Sequence, residues 1–97
     1  MLVQERFKST VFGVLKMIKV YTKDHCPYCT YAKDLLKSLN LPFEEIDLGS
    51  DHSAIMDLVA KTGMRTLPQI FINDELIGGY TDLKSLVDSG KIDEVES

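Results

Sequence analysis

The feature that most constrains how this chain can fold is the order in which its apolar periodicity changes. Residues 17–22 alternate apolar and polar side chains, with Val20 and Tyr21 among them, and predict a strand. From residue 27 to residue 39, Ala32, Leu35, Leu36 and Leu39 recur at helical spacing, and Leu41-Pro42 is expected to stop that helix. Residues 43–48 read as a second strand, closed by Gly49-Ser50. Asp51 or Ser53 can cap a helix that carries Ile55, Leu58 and Val59 on one face, with Gly63 placed as its stop. Residues 69–72 and 75–77 are short strands joined at Asn73-Asp74, a hairpin signal. Thr81 or Asp82 opens a last helix with Leu83, Leu86 and Val87 inward, ended by Gly90. Strand, helix, strand, helix, strand, strand, helix is an order that few topologies accommodate. Two parallel strands joined by a right-handed crossover and followed by a hairpin give an α/β fold, a small four-stranded mixed sheet covered by helices.

A chain of 97 residues, 44% of them hydrophobic, suits one domain with one modest core. Such a domain buries about 60 to 65% of its unfolded surface, so neither a metal nor a disulfide staple is demanded. The patterning begins at Met17; residues 1–16 are expected to be an N-terminal extension and residues 17–97 the domain. The net charge of −4 falls in the second half, where four basic residues face nine acidic ones, against seven and six in residues 1–50. A protein that neutralises many phosphates shows the opposite balance, so nucleic acid is not expected as a partner. The longest apolar stretch, residues 11–20, is broken by Lys16 and Lys19, well short of the roughly 18 to 20 apolar residues a membrane span needs. It also lacks the cleavage site of a secretory signal. The expected compartment is a reducing cytoplasm with no membrane partner. There, a lone Cys-x-x-Cys pair is redox-active or metal-binding rather than a staple.

Cys26-Pro27-Tyr28-Cys29 sits where the first strand runs into the first helix. Proline is favoured at the first helical position, because its missing N–H would have no intrahelical partner there. Cys26 then lies at the helix N-terminus, where unpaired N–H groups and the positive end of the macrodipole stabilise a thiolate. Lys23 in the same loop can add positive charge, and such settings hold a thiol's pKa below its ordinary value. Cys26 is therefore the expected attacking sulfur. Cys29, one turn further in, is more shielded yet close enough to form a disulfide, and is the expected resolving thiol.

With Thr-Lys-Asp-His-Cys-Pro-Tyr-Cys at residues 22–29, Thr-Leu-Pro-Gln-Ile-Phe-Ile at 66–72 and Gly-Gly-Tyr-Thr-Asp-Leu at 78–83, the sequence resembles a dithiol glutaredoxin of the small bacterial type. The resemblance covers about residues 17–90. It implies a thioredoxin-like (glutaredoxin) fold and reduction of protein disulfides or protein–glutathione mixed disulfides by a monomer. Glutathione would serve as the electron-donating co-substrate, with no tightly bound cofactor and no metal site. It also implies a cis peptide before Pro68, facing the cysteines. The residue before a proline is pushed to extended backbone, so Leu67, flanked by Thr66, can offer its N–H and C=O to a peptide such as glutathione. Around Gly79 the backbone can approach closely before a helix opens, and helix N–H groups suit a carboxylate. By resemblance, Thr81 and Asp82 bind the γ-glutamyl end, Asp82 taking its ammonium, while Lys23 and Arg65 hold the glycyl carboxylate and Tyr28 packs on glutathione. The chain departs from the family in having Leu67 for the usual valine, Tyr80 where many members have cysteine, and Met64 where many have a basic residue.

Blander readings compete with these. His25 and His52 are the only other soft ligands for half a zinc site, and neither belongs to a paired ligand motif, which disfavours structural zinc. His25 reads as an exposed loop residue, Gly78-Gly79 could be a turn alone, Asp82 a helix-capping residue alone, and Glu44-Glu45 and the tail acids Asp93, Glu94 and Glu96 solvated surface. Two other functions fit a dithiol of this kind. One is a redox carrier reduced by a flavoprotein reductase, as thioredoxins are, which would not need Lys23, Thr66 and Asp82 in place. The other is an iron–sulfur carrier with a cluster shared between two chains through Cys26 and glutathione, which Pro27 disfavours by restricting the loop.

Overall fold

A computed structural model describes residues 17–94 of the chain. The expected extension over residues 1–16 lies outside the described residues, as does Glu96. The elements follow the expected order: β1 (Ile18–Thr22), α1 (Pro27–Ser38), β2 (Glu44–Asp47), α2 (His52–Thr62), β3 (Gln69–Ile72), β4 (Glu75–Gly78) and α3 (Tyr80–Asp88). A short 3₁₀ turn, Lys91–Glu94, follows; periodicity gave no sign of it. The sheet runs β2-β1-β3-β4, with β1 parallel to β2 and antiparallel to β3, and β3 antiparallel to β4. The four-stranded mixed sheet expected from the element order is therefore present.

Strand alternation sorts β1 between two apolar clusters. Ile18 and Val20 join Ala32 and Leu36 of α1, Ile70 and Ile72 of β3, Leu83 of α3 and Ile92. Leu36, Ile70, Ile72 and Leu83 have no exposed surface, and each contributes about 1.5 to 3 kcal/mol by its burial. Tyr21 points the other way and packs on a smaller cluster of Cys29, Leu58 and Leu67, with Ile55 and Leu48 beside it. This second cluster joins α2 to the cysteine helix.

Two helix ends, the close of α1 and the opening of α3, differ from expectation, each for a local reason. The first helix stops before Leu41-Pro42. Asn40 adopts φ +57°, its N–H donates to Lys37 C=O, and the Leu41 N–H reaches back to Leu36 C=O, both at 3.0 Å. This is a Schellman ending, which asparagine supports because it tolerates left-handed backbone. Of the two candidate caps for α2, Asp51 is the one used, its carboxylate accepting from the Ala54 N–H at 3.1 Å. Gly63 ends α2 in the expected place, with φ +77° and its N–H on Val59 C=O. The last helix opens at neither Thr81 nor Asp82. Gly79 is its N-cap, and Asp82 is the third helical residue, its carboxylate accepting from the Gly79 N–H at 3.0 Å. Asn73 and Asp74 both have positive φ, as a two-residue type I′ hairpin turn requires.

Thr22, 2% exposed at the end of β1, donates its hydroxyl to Glu45 of β2 at 2.7 Å, and Lys33 of α1 reaches the same oxygen at 3.0 Å. Glu44-Glu45 is thus more than solvated surface, because Glu45 clips the strand before the cysteine loop to both neighbours. The Thr22 hydrogen bond first, and then Lys33, hold the Glu45 carboxyl below its ordinary pKa against a desolvation that raises it. A carboxyl whose pKa is lower in the folded state stabilises fully above its unfolded pKa, and that stability is lost as pH falls through the folded one. Thermal stability should therefore decline on acidification below the ordinary glutamate range. In Glu45→Gln this part of the profile should flatten, with a lower melting temperature at neutral pH. An unchanged acid profile in the variant would remove Glu45 from the clip.

Candidate active site

Cys26 is the N-cap of α1. Its backbone is extended, with φ −126° and ψ 93°, and Pro27 follows at the first helical position. The Cys29 N–H donates to Cys26 Sγ at 3.2 Å, so the sulfur occupies the place that a serine or aspartate oxygen takes in an ordinary cap. Cys26 and Cys29 are joined as a disulfide, with Cα atoms 5.2 Å apart. Cys26 is half-buried, whereas Cys29 is 3% exposed among Leu58 and Leu67. His25, immediately before the cap, is exposed and takes φ +54°, a conformation uncommon outside glycine, asparagine and aspartate. The loop is tied at its base by the Asp24 N–H on Gly49 C=O at 3.0 Å and the Leu48 N–H on Thr22 C=O at 2.8 Å.

Facing the dithiol is the segment before β3. The Leu67–Pro68 peptide is cis, and the Leu67 carbonyl oxygen lies 3.6 Å from Cys26 Sγ. Beside it opens a groove of about 470 Å³ lined by Tyr28, Met64, Thr66, Leu67, Pro68, Gly79, Tyr80, Thr81 and Asp82. Seven of the residues singled out from sequence are thus brought together around one hollow. Cys26 adjoins that hollow through Leu67. Lys23 and Arg65 are exposed and do not line the groove.

Other contributors escaped the sequence reading. Gln69 has no exposed surface, and its side-chain amide donates to Met64 C=O at 2.8 Å and Thr66 C=O at 3.3 Å, holding the loop that presents Leu67. Its signal in the sequence was a polar residue inside an otherwise apolar strand run. Met64 and Tyr80 were noted only as departures from the family pattern, yet both form groove wall. At Gly79 a side chain would meet Met64 Cε at 3.2 Å and Pro68 O at 3.5 Å. Gly78 has φ +131°, and a Cβ there would collide with the Asp82 carboxylate and lie 2.9 Å from Asp82 Cβ. The glycine pair is therefore the seat on which Asp82 and the loop before β3 pack.

Among the described residues no three His, Cys, Asp or Glu side chains gather as a metal site, and no helix is long and apolar enough to cross a membrane. The glutaredoxin family model matches residues 18–77. This chain belongs to the glutaredoxin family. It is 38% identical over 76 residues to glutaredoxin 3 of Escherichia coli, covering 78% of this chain and 92% of that protein. A probable glutaredoxin of Synechocystis is 42% identical over 82 residues, covering 84% and 93%. Among solved structures, the buckwheat glutaredoxin–glutathione complex superimposes with a TM-score of 0.70 at 32% identity, covering 77% of this chain and 71% of that one. The fold is thioredoxin-like, and the activity of the glutaredoxin is that of a thiol–disulfide oxidoreductase.

The two glycines should respond differently to alanine. In Gly78→Ala the added methyl meets the Asp82 side chain and the backbone is strained. The expected loss is about 1 to 3 kcal/mol, with the melting temperature falling about 4 to 8 °C for each kcal/mol. Gly79→Ala meets first the flexible end of Met64 and should lose less. Melting curves of the two variants check this, and the reverse order would unseat Asp82 from Gly78.

Proposed function

We propose that this glutaredoxin uses glutathione to reduce protein–glutathione mixed disulfides and protein disulfides. The observation that carries this reading is the continuity of the groove with the dithiol. Cys26 Sγ adjoins Leu67, whose backbone offers a strand-like edge to a peptide, and the same hollow runs on to the first turn of α3. The N–H groups of Tyr80, Thr81 and Asp82 precede the first backbone bond of that helix, from the Leu83 N–H to Gly79 C=O, and suit the γ-glutamyl carboxylate. Asp82 pairs with the neighbouring ammonium, Tyr28 packs on the tripeptide, and Lys23 and Arg65 serve the glycyl carboxylate from outside the groove. The glutathione held by the buckwheat homologue supports the same reading.

Reduction of a mixed disulfide takes two exchanges. The Cys26 thiolate attacks the glutathionyl sulfur, the bond to the substrate sulfur breaks, and the substrate thiolate leaves and takes up a proton. A second glutathione thiolate attacks the glutathionyl sulfur now on Cys26, releasing glutathione disulfide and restoring the Cys26 thiolate. With a protein disulfide, Cys26 becomes bonded to the substrate. The Cys29 thiolate then attacks Cys26 Sγ, frees the substrate dithiol and closes the Cys26–Cys29 disulfide. Two glutathione molecules reopen it and leave as glutathione disulfide. The difference in exposure fits these roles, since only Cys26 can meet a bulky disulfide.

A coupled assay with NADPH, glutathione reductase, glutathione and a small mixed disulfide tests the activity, and replacing glutathione reductase and glutathione by thioredoxin reductase, with NADPH kept, tests the carrier alternative. Turnover is expected with the former and not with the latter. Cys26→Ser should abolish transfer to every substrate. Cys29→Ser should keep most of its turnover on glutathione mixed disulfides and lose activity on protein disulfides. Equal loss in both variants on a small glutathionylated substrate would overturn the one-cysteine route.

Asp82 has two duties that a pair of variants separates. Asp82→Asn keeps an oxygen for the Gly79 N–H but removes the charge offered to the ammonium. The apparent KM for glutathione should rise several-fold to about a hundredfold, with little change in melting temperature. Asp82→Ala should show the same kinetic loss and a stability loss of about 1 kcal/mol. If Asp82→Asn leaves the glutathione dependence unchanged, the residue is a cap alone.

A further inference from the structure

Beyond the groove, three tyrosines gather on the same end of the molecule. Tyr28 meets Tyr31 edge-to-face with ring centroids 5.5 Å apart and an interplanar angle of 84°. Both lie within 6 Å of Tyr80, at centroid distances of 5.9 Å from Tyr28 and 5.8 Å from Tyr31. Tyr80 is half-buried and packs against the main core, but the other two rings are not core. Tyr28 is 56% exposed and Tyr31 51%. Tyr28 and Tyr80 form groove wall, but Tyr31 does not line the groove. It extends the aromatic wall beyond the lining of the groove.

We propose that Tyr31 is a specificity-determining residue for protein substrates, and that the three-ring face takes a cationic side chain, arginine by preference, beside the reacting cysteine. This rests on the glutathione-dependent reading above and names what the substrate brings to the same site. Tyrosine rings carry negative faces that attract a guanidinium or an ammonium. An exposed carboxylate lies beside the rings, because Asp34 is one turn beyond Tyr31 on α1. The lysines nearest the rings along these helices are engaged elsewhere, Lys33 on Glu45 at 3.0 Å and Lys84 on Asp88 at 2.9 Å. The rings and Asp34 thus present an electron-rich, negative surface continuous with the groove. A guanidinium can stack on such a ring while pairing with a carboxylate beside it.

Two glutathionylated peptides, identical except for arginine or glutamine two residues from the cysteine, test the proposal in the glutathione-coupled assay with the full chain. The unsubstituted protein should reduce the arginine peptide with a kcat/KM about two- to fivefold higher. Tyr31→Ala, which alters no charge, should erase that preference and leave turnover of a small mixed disulfide unchanged. Tyr31→Phe keeps the ring face and should retain the preference. Equal kcat/KM for the two peptides in the unsubstituted protein overturns the proposal. So does a Tyr31→Ala variant that keeps the preference, or that loses activity equally on both peptides and on the small disulfide, which is the mark of a structural ring. Inactivity of the unsubstituted protein on the small mixed disulfide itself would instead strike the glutathione-dependent reading.

Discussion

Antiparallel pairing of β1 with β3 is the constraint from which the site follows. In that register Tyr21 stands opposite Gln69 and Val20 opposite Ile70, so the last residues of β1 lie beside the first residues of β3. The loop that leaves β1 toward Cys26 and the loop that enters β3 through Leu67 must therefore emerge at the same end of the sheet. The other pairings add to it. β4 runs antiparallel to β3 and ends with Gly78 opposite Ile70, which delivers the opening of α3 to that end. β2 is parallel to β1, with Asp47 opposite Thr22, so its exit at Leu48 and Gly49 also lies there and supplies the two backbone bonds that tie the cysteine loop. Dithiol, cis-proline loop and helix N-terminus converge without any long excursion of chain.

At Cys26 one atom serves both structure and chemistry. As an N-cap, Sγ accepts the Cys29 N–H and satisfies one of the donors left over at a helix start. A helix start of this kind, with an N–H donor and the positive end of the dipole, is where a cysteine thiolate is stabilised once the disulfide is opened. An oxygen cap would serve the helix as well but could not attack a disulfide. Cys29 gives up exposure for position. Three residues on, packed against Leu58 and Leu67, it can reach only the sulfur of Cys26 or a disulfide formed there. In the proposed sequence of exchanges the half-buried sulfur acts before the buried one.

Most of the fold was legible in the sequence because it depends on periodicity, which survives in one dimension. Ile18 and Val20 at period two, and Ala32, Leu35 and Leu36 at helical spacing, mark faces that any packed arrangement must bury. The strand over residues 69–72 was read residue for residue. What escaped depends on contacts between distant residues or on single dihedral angles. Asn40 ends α1 through one left-handed residue, and nothing in the apolar pattern distinguishes it from a neighbour in mid-turn. Gln69 reads as a blemish in an apolar run until Met64 and Thr66 fold back to offer their carbonyls. The site showed the same division. The two cysteines, Pro68 and the glycine pair announced themselves by motif, and Tyr31 did not, because its meaning lies in two other rings from separate parts of the chain.

Tyr80 shows how a local change at a shared site is absorbed. The resemblance to the family implies a cysteine here in many members, and a phenol ring cannot occupy a thiol's volume. Here the half-buried ring lies tilted by 31° to Tyr28, lining the groove and also packing against the main apolar cluster that holds Leu83. The backbone around it is held independently, by the Asp82 carboxylate on the Gly79 N–H and by the close seat of Asp82 over Gly78. Those contacts involve no part of the Tyr80 side chain, so they hold the start of α3 in addition to the packing of the ring on the core. The wall of the groove can then change its chemistry while the amides and the carboxylate that face it stay where they are.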